Sequence, residues 1–123
     1  MTASKKILVV DDEPDLVDFV RLRLTASGFD VVTAADGEEA IEMVKREYPD
    51  LIILDILLPK LDGHKACEIL KKDPRFAAIP IIMLTAKDRE EDILLAKKIG
   101  ADAYITKPFD AQLLLYDIKK LMK

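Results

Sequence analysis

Lys6-Ile7-Leu8-Val9-Val10-Asp11-Asp12-Glu13 is the stretch on which the fold turns. Ile7 to Val10 is apolar throughout, with no alternation of polar and apolar residues. Such a run reads as a short strand covered on both faces, the environment of a parallel sheet. An acidic triplet, Asp11, Asp12 and Glu13, follows at once. Working outward, four more short apolar runs repeat the pattern: Val31-Val32, Leu51-Ile52-Ile53-Leu54, Ile81-Ile82-Met83-Leu84 and Tyr104-Ile105.

Between these runs apolar residues recur at helical spacing. Leu16, Val20 and Leu24 form one stripe, and Ala40, Ile41 and Val44 the next. Ala66, Ile69 and Leu70 follow, then Ile93, Ala96 and Ile99, then Leu114, Ile118 and Leu121. Ser27-Gly28, Tyr48-Pro49, Asp73-Pro74 and Ile99-Gly100 punctuate the first four helices. A βα unit repeated five times, with right-handed crossovers, predicts an α/β fold with helices on both faces of a parallel sheet.

Composition narrows the function. The 123 residues suit one domain spanning 1–123, and half hydrophobic with 34% charged is a globular mix. The net charge of -4 gives no general attraction to nucleic acid or to an anionic membrane surface. No run approaches a membrane span, and the apolar run after Met1-Thr2-Ala3-Ser4-Lys5-Lys6 is too short for a signal-peptide core. One cysteine cannot close an internal disulfide, so the expected compartment is the reducing cytoplasm. The last helix, roughly Asp110 to Met122, fits both a stand-alone domain and a piece of a longer protein.

In open α/β sheets the functional crevice lies beyond the carboxyl ends of the strands. Asp11, Asp12 and Glu13 follow the first strand, Asp55 the third, Thr85 the fourth and Lys107-Pro108 the fifth. Three aspartates on one edge repel one another unless something neutralises them. An all-oxygen cluster suits a hard divalent cation, Mg2+ most readily, with Lys107 as a fixed positive charge. The set suits phosphoryl transfer, with Asp11 and Asp12 holding the cation and Asp55 attacking phosphorus to give an acyl phosphate. Thr85 and Lys107 would then pair with phosphoryl oxygens.

At these residues the chain resembles the receiver (CheY-like) domain of two-component response regulators along its whole length. Asp11-Asp12-Glu13-Pro14, Asp55-Ile56-Leu57-Leu58-Pro59 with Asp62-Gly63, Thr85-Ala86 and Lys107-Pro108-Phe109 carry the likeness. The resemblance implies a flavodoxin-like, doubly wound (βα)5 fold with strand order 2-1-3-4-5. It implies phosphorylation of Asp55 from the phosphohistidine of a sensor histidine kinase or a phosphotransfer protein. It also implies Mg2+ at Asp11, Asp12 and Asp55 and at the backbone carbonyl of Leu57. Thr85 and Tyr104 match the switch pair that remodels the fourth helix, fifth strand and fifth helix to control an output partner. The Lys107–Pro108 bond is cis in that family, and the protein is expected as a monomer or a phosphorylation-dependent dimer.

Plainer readings stand beside these. Asp11 and Asp12 also suit a helix cap. His64, after Gly63, reads as a solvated first-turn residue rather than a phosphoryl carrier, and Cys67 as a small buried hydrophobe. Lys87 to Asp92 reads as a solvated helix start, and Phe109 as a packed anchor. A phosphohydrolase with an aspartyl-phosphate intermediate would want an acid two places after Asp55, where Leu57 stands. A flavin-binding domain would want a glycine- and hydroxyl-rich loop where Asp11-Asp12-Glu13 repels phosphate. An unphosphorylated receiver-like adaptor would not need the full residue set.

Two helix faces carry apolar residues away from the core. Phe19 and Leu22 on the first helix are candidate anchors for the kinase, and Leu113 and Tyr116 on the fifth for an output partner. Receivers that drive winged-helix domains usually carry aspartate where Ala103 stands and arginine where Asp117 stands, which argues against the usual dimer. Leu57 and Lys87 occupy positions that tune acyl-phosphate hydrolysis in the family, and Leu57 brings no polar group to orient water.

Overall fold

The computed structural model describes residues 4–122. The expected domain therefore extends past it by Met1, Thr2, Ala3 and Lys123, and the reading of the extreme N-terminus lies in part outside the described residues. The order is β1 (Lys6–Val10), α1 (Pro14–Ala26), β2 (Asp30–Ala34), α2 (Gly37–Glu47), β3 (Leu51–Leu54), α3 (Gly63–Lys72), β4 (Ile81–Thr85), α4 (Glu90–Ile99), β5 (Ala103–Thr106) and α5 (Ala111–Leu121). All pairings are parallel and the strand order is β2-β1-β3-β4-β5. The five apolar runs are thus the five strands.

Side chains alternate across the sheet and feed two cores. Leu8, Val10, Ile52, Leu54, Ile81 and Met83 meet Ala40, Val44, Ala66, Leu70 and Ala96 of α2, α3 and α4. Ile7, Val9, Leu51, Ile53, Ile82 and Leu84 meet Val20, Leu24, Leu114 and Ile118 of α1 and α5. Burial on both faces explains why β1, β3 and β4 show no polar alternation. One stripe needs correction: Ile69 is 43% exposed. The buried arc of α3 is Gly63, Ala66, Cys67 and Leu70, and Ile69 falls outside it.

Aspartates start three helices. Asp36 accepts from the Glu39 N–H at 2.8 Å, Asp62 from Lys65 at 2.9 Å and Asp110 from Gln112 at 2.8 Å. α1 instead starts with Pro14, and its N-cap Glu13 makes no side-chain cap bond. That leaves the Glu13 carboxylate available for another partner.

Register places the functional edge. Val10 pairs with both Ala34 and Leu54, and Thr85 with Thr106, so the carboxyl ends of the strands align. The ladder also runs on past the strands: Asp11 N–H donates to Ala34 at 3.1 Å, Asp55 N–H to Val10 at 3.1 Å and Lys107 N–H to Thr85 at 2.8 Å. The backbone therefore holds Asp11, Asp55, Thr85 and Lys107 on one line.

Candidate functional site

Asp11, Asp55 and Thr85 are the buried polar or charged residues among those described, at 4%, 3% and 0% exposure. Carboxylates so placed need partners. Lys107 Nζ donates to Asp11 Oδ2 at 2.8 Å and to Asp55 Oδ2 at 2.9 Å, and reaches Glu13 Oε1 at 3.0 Å. The second oxygens face backbone: Asp11 Oδ1 accepts from Glu13 N–H at 3.0 Å and Asp55 Oδ1 from Leu57 N–H at 3.1 Å. Both side chains are thereby fixed in orientation. Asp12 is exposed at the rim.

The electrostatics follow from this packing. Burial would lower the Lys107 ammonium, but its hydrogen bonds to Asp11, Asp55 and Glu13 outweigh that and raise its pKa. Burial raises the Asp11 carboxyl above the usual aspartate range, opposed by Lys107 and the Glu13 N–H and helped by the Asp55 charge. One oxygen from each of Asp11, Asp12 and Asp55 lies within 4.8 Å of the others. Three convergent oxygens, one on an exposed side chain, fit a hard cation that keeps some of its water.

Thr85 Oγ1 accepts from Lys87 N–H at 3.3 Å. Tyr104, half-buried, donates its hydroxyl to the Lys87 carbonyl at 2.8 Å, so both switch candidates meet the same loop residue. Burial pushes the Tyr104 phenol up to about 12, with the charges of Asp92, Asp55 and Asp88 adding to it. Lys107–Pro108 is cis. Phe109 packs on the α1–α5 core and meets Phe19 edge-on, with ring centroids 6.3 Å apart. Leu57, Lys87 and Asp12 line an open cleft of about 440 Å³.

One expectation fails. His64 is half-buried rather than solvated, and its Nε2 is buried without a hydrogen-bond partner. The Glu13 contact to Lys107 was not foreseen either, although the acidic triplet contained the signal. Gly63 has a packing role that its place in the Asp62-Gly63 motif does not reveal. A Cβ there would lie 2.0 Å from the Asp55 carbonyl oxygen, so α3 meets β3 backbone to backbone.

Cys67 is the free thiol, 1% exposed, and burial pushes its pKa up to about 11. Its thiolate fraction is then lowered by about a hundredfold, and iodoacetamide at pH 8 should label the native protein at least that much more slowly than the urea-unfolded chain. Equal rates would contradict the burial of this residue.

A 2-1-3-4-5 parallel sheet with lysine-paired carboxylates at its carboxyl edge defines an α/β domain of the flavodoxin-like class. The model of the response regulator receiver domain family matches residues 7–119, and the chain belongs to that family, the receiver domains of two-component response regulators. It is 48% identical over 120 residues to the alkaline phosphatase synthesis transcriptional regulatory protein PhoP of Bacillus subtilis. That match covers 98% of this chain and 49% of PhoP, so the chain spans about half the length of such curated relatives. Among solved structures, a CheY-like receiver domain protein from Methanospirillum hungatei superposes with a TM-score of 0.92 at 32% identity, covering 98% and 94% of the two chains. The receiver domain of the Pseudomonas aeruginosa sensor histidine kinase PA1611, solved with magnesium in its active-site cleft, gives 0.89 at 30% identity and 98% coverage of both. No helix among the described residues is long and apolar enough to cross a membrane.

Proposed function

We propose that Asp55 is the phosphoacceptor of this receiver and takes its phosphoryl group from the phosphohistidine of a sensor histidine kinase or phosphotransfer protein. The observation that carries this reading is the Asp55 carboxylate itself. It is buried at the carboxyl edge of the sheet, with one oxygen on the Lys107 ammonium and the other on the Leu57 N–H. A bond forms between an Asp55 oxygen and phosphorus as the phosphorus–nitrogen bond of the donor breaks, and the electron pair leaves with the imidazole. The transition state is loose, so the chain's task is to position groups and neutralise charge on the peripheral oxygens. Lys107 stands ready to pair with one such oxygen, and the Thr85 hydroxyl to donate to another. Asp11, Asp12, Asp55 and the Leu57 carbonyl would hold Mg2+, which supplies further neutralising charge.

The output follows from the Thr85–Lys87–Tyr104 connection. A phosphoryl group that draws Thr85 inward acts on the loop whose carbonyl holds Tyr104, and shifts the populations of α4, β5 and α5. Leu113 and Tyr116, 48% and 63% exposed, would meet the output partner on α5. Phe19 and Leu22, 48% and 70% exposed, form the face that would receive the kinase. Leu22→Asp is expected to slow phosphotransfer from the cognate kinase at least tenfold while leaving labelling by acetyl phosphate unchanged. An unchanged rate from the kinase would remove α1 from the docking surface.

The direct test is intact-mass spectrometry after incubation with acetyl phosphate, with and without Mg2+. One base-labile phosphoryl group that requires Mg2+ and is absent from Asp55→Asn is the expected result. An adduct of the same size in Asp55→Asn would move the acceptor elsewhere.

A further inference from the structure

We propose that Gly37 is a positioning residue for the cation site: it lets the start of α2 back the loop that carries Leu57. The link to Mg2+ rests on the reading above, whereas the support of the loop does not. Gly37 is the first residue of α2 and is buried. A Cβ there would lie 1.8 Å from the Leu61 carbonyl oxygen and 2.7 Å from Leu61 Cβ. Only a residue without a side chain lets α2 approach the loop between β3 and α3 so closely. Gly37 N–H also points to the Pro59 carbonyl, at a long 3.5 Å. The Lys60–Asp36 ion pair adds little, since the lysine side chain is 63% exposed and the separation is 3.7 Å.

Neither side of this contact can yield freely. The start of α2 is pinned at three places. Asp11 N–H donates to the Ala34 carbonyl at 3.1 Å, Ala35 N–H to Glu39 Oε1 at 2.6 Å and Glu39 N–H to Asp36 Oδ1 at 2.8 Å. The loop has little slack either. Leu58 N–H donates to the Ile56 carbonyl at 3.0 Å, and Gly63 N–H to the same carbonyl at 2.9 Å. Leu61 N–H donates to Pro59 at 2.7 Å across Lys60, whose φ of +66° makes this a tight turn. A displaced Leu61 therefore moves Leu57, whose N–H holds Asp55 Oδ1 and whose carbonyl is among the proposed Mg2+ ligands. The turn from Ala34 to Gly37 carries no ligand itself. It supports Asp11 through the Ala34 carbonyl and Leu57 through Gly37.

Hydrogen–deuterium exchange without metal reads the support itself, whatever the role of Asp55. The bonded amides of Leu57, Leu58 and Leu61 are expected to exchange about tenfold faster in Gly37→Ala than in the wild type. Calorimetric titration then reads the cation site. Mg2+ should bind Gly37→Ala about tenfold or more weakly, as when the support of a metal ligand is lost. Gly28→Ala, strained at φ +94° but with nothing within 4 Å of its Cβ, is expected within about twofold of the wild type in both. Unchanged exchange at those amides, an unchanged Mg2+ affinity, or equal losses in Gly28→Ala would each overturn the proposal. A wild type that binds no Mg2+ would instead overturn the cation reading, and with it the role given to Gly37 there, while exchange still reports whether Gly37 supports the loop. The wild type supplies a second test should Gly37→Ala not fold. Saturating Mg2+ is expected to slow exchange of the Gly37 and Leu61 amides about threefold or more, because coupling between two sites is reciprocal. No slowing there would overturn the proposal as well.

Discussion

Lys107→Met is expected to lower folding stability by about 3–5 kcal/mol in metal-free buffer at pH 7, the usual cost of removing one partner from a buried ion pair. Methionine keeps the length of the stem, so the change isolates the ammonium. The wild-type ammonium lies within 2.8 to 3.0 Å of three carboxylates, and the side chains of Asp11 and Asp55 are only 2% and 3% exposed. Without it, two buried negative charges face each other, with Asp12 close by. Mg2+ at millimolar concentration should restore much of the loss, and should raise the variant's stability more than the wild type's. The dependence on pH has a definite sign. The Lys107 pKa is raised in the folded state, so its contribution is fully present below the ordinary lysine value of 10.5 and is lost only as pH rises through the higher folded value. Asp11, already raised by burial, loses its principal opposing contact in the variant and takes a proton more readily. Stability of Lys107→Met should therefore recover on mild acidification. Urea unfolding at pH 7 and pH 5, with and without Mg2+, measures all of this. A loss under about 1 kcal/mol would show that the carboxylates do not depend on Lys107.

Gly63→Ala is expected to cost about 3 kcal/mol or more and to slow acetyl phosphate labelling of Asp55 about a hundredfold. The new Cβ would meet the Asp55 carbonyl oxygen at 2.0 Å and Ile56 Cα at 2.7 Å, both backbone atoms that no rotamer change can move. Either α3 retreats, breaking the 2.9 Å bond from Gly63 N–H to Ile56, or the end of β3 shifts and takes the Asp55 carboxylate with it. Gly28→Ala is the control. Nothing lies within 4 Å of its Cβ, but φ is +94°, so it should cost only about 1 kcal/mol and leave labelling unaffected. Thermal unfolding together with the mass-spectrometric labelling rate separates the two cases. Wild-type labelling in Gly63→Ala would mean that the β3–α3 contact does not position Asp55.

The strands and most helix faces were legible because burial on both faces of a parallel sheet leaves a local mark. Ile52-Ile53 could hardly be anything but strand between layers, and Val20 with Leu24 marks the buried side of α1. The principal site residues were legible for a related reason. A carboxylate directly after an apolar strand must emerge at the carboxyl edge, and the ladder bonds of Asp11, Asp55 and Lys107 carry that edge one residue past each strand. Less was visible where elements meet across the fold. Ile69 fits a helical stripe by spacing, yet the arc that α3 buries is centred nearer Cys67.

By itself, then, the order of residues determined the five βα units, the parallel sheet and the membership of Asp11, Asp12, Asp55, Thr85 and Lys107 in one edge, since each depends on neighbours within a few positions. Tertiary structure decided which atoms touch there. Glu13 joins Asp11 and Asp55 on the Lys107 ammonium because α1 is started by proline and does not use the Glu13 carboxylate as a cap. Tyr104 reaches the Lys87 carbonyl because β5 lies beside β4, and α3 meets the end of β3 because Gly63 has no Cβ to hold them apart. Contacts between elements remote in sequence depend on how closely backbones approach, and no local pattern of residues encodes that distance.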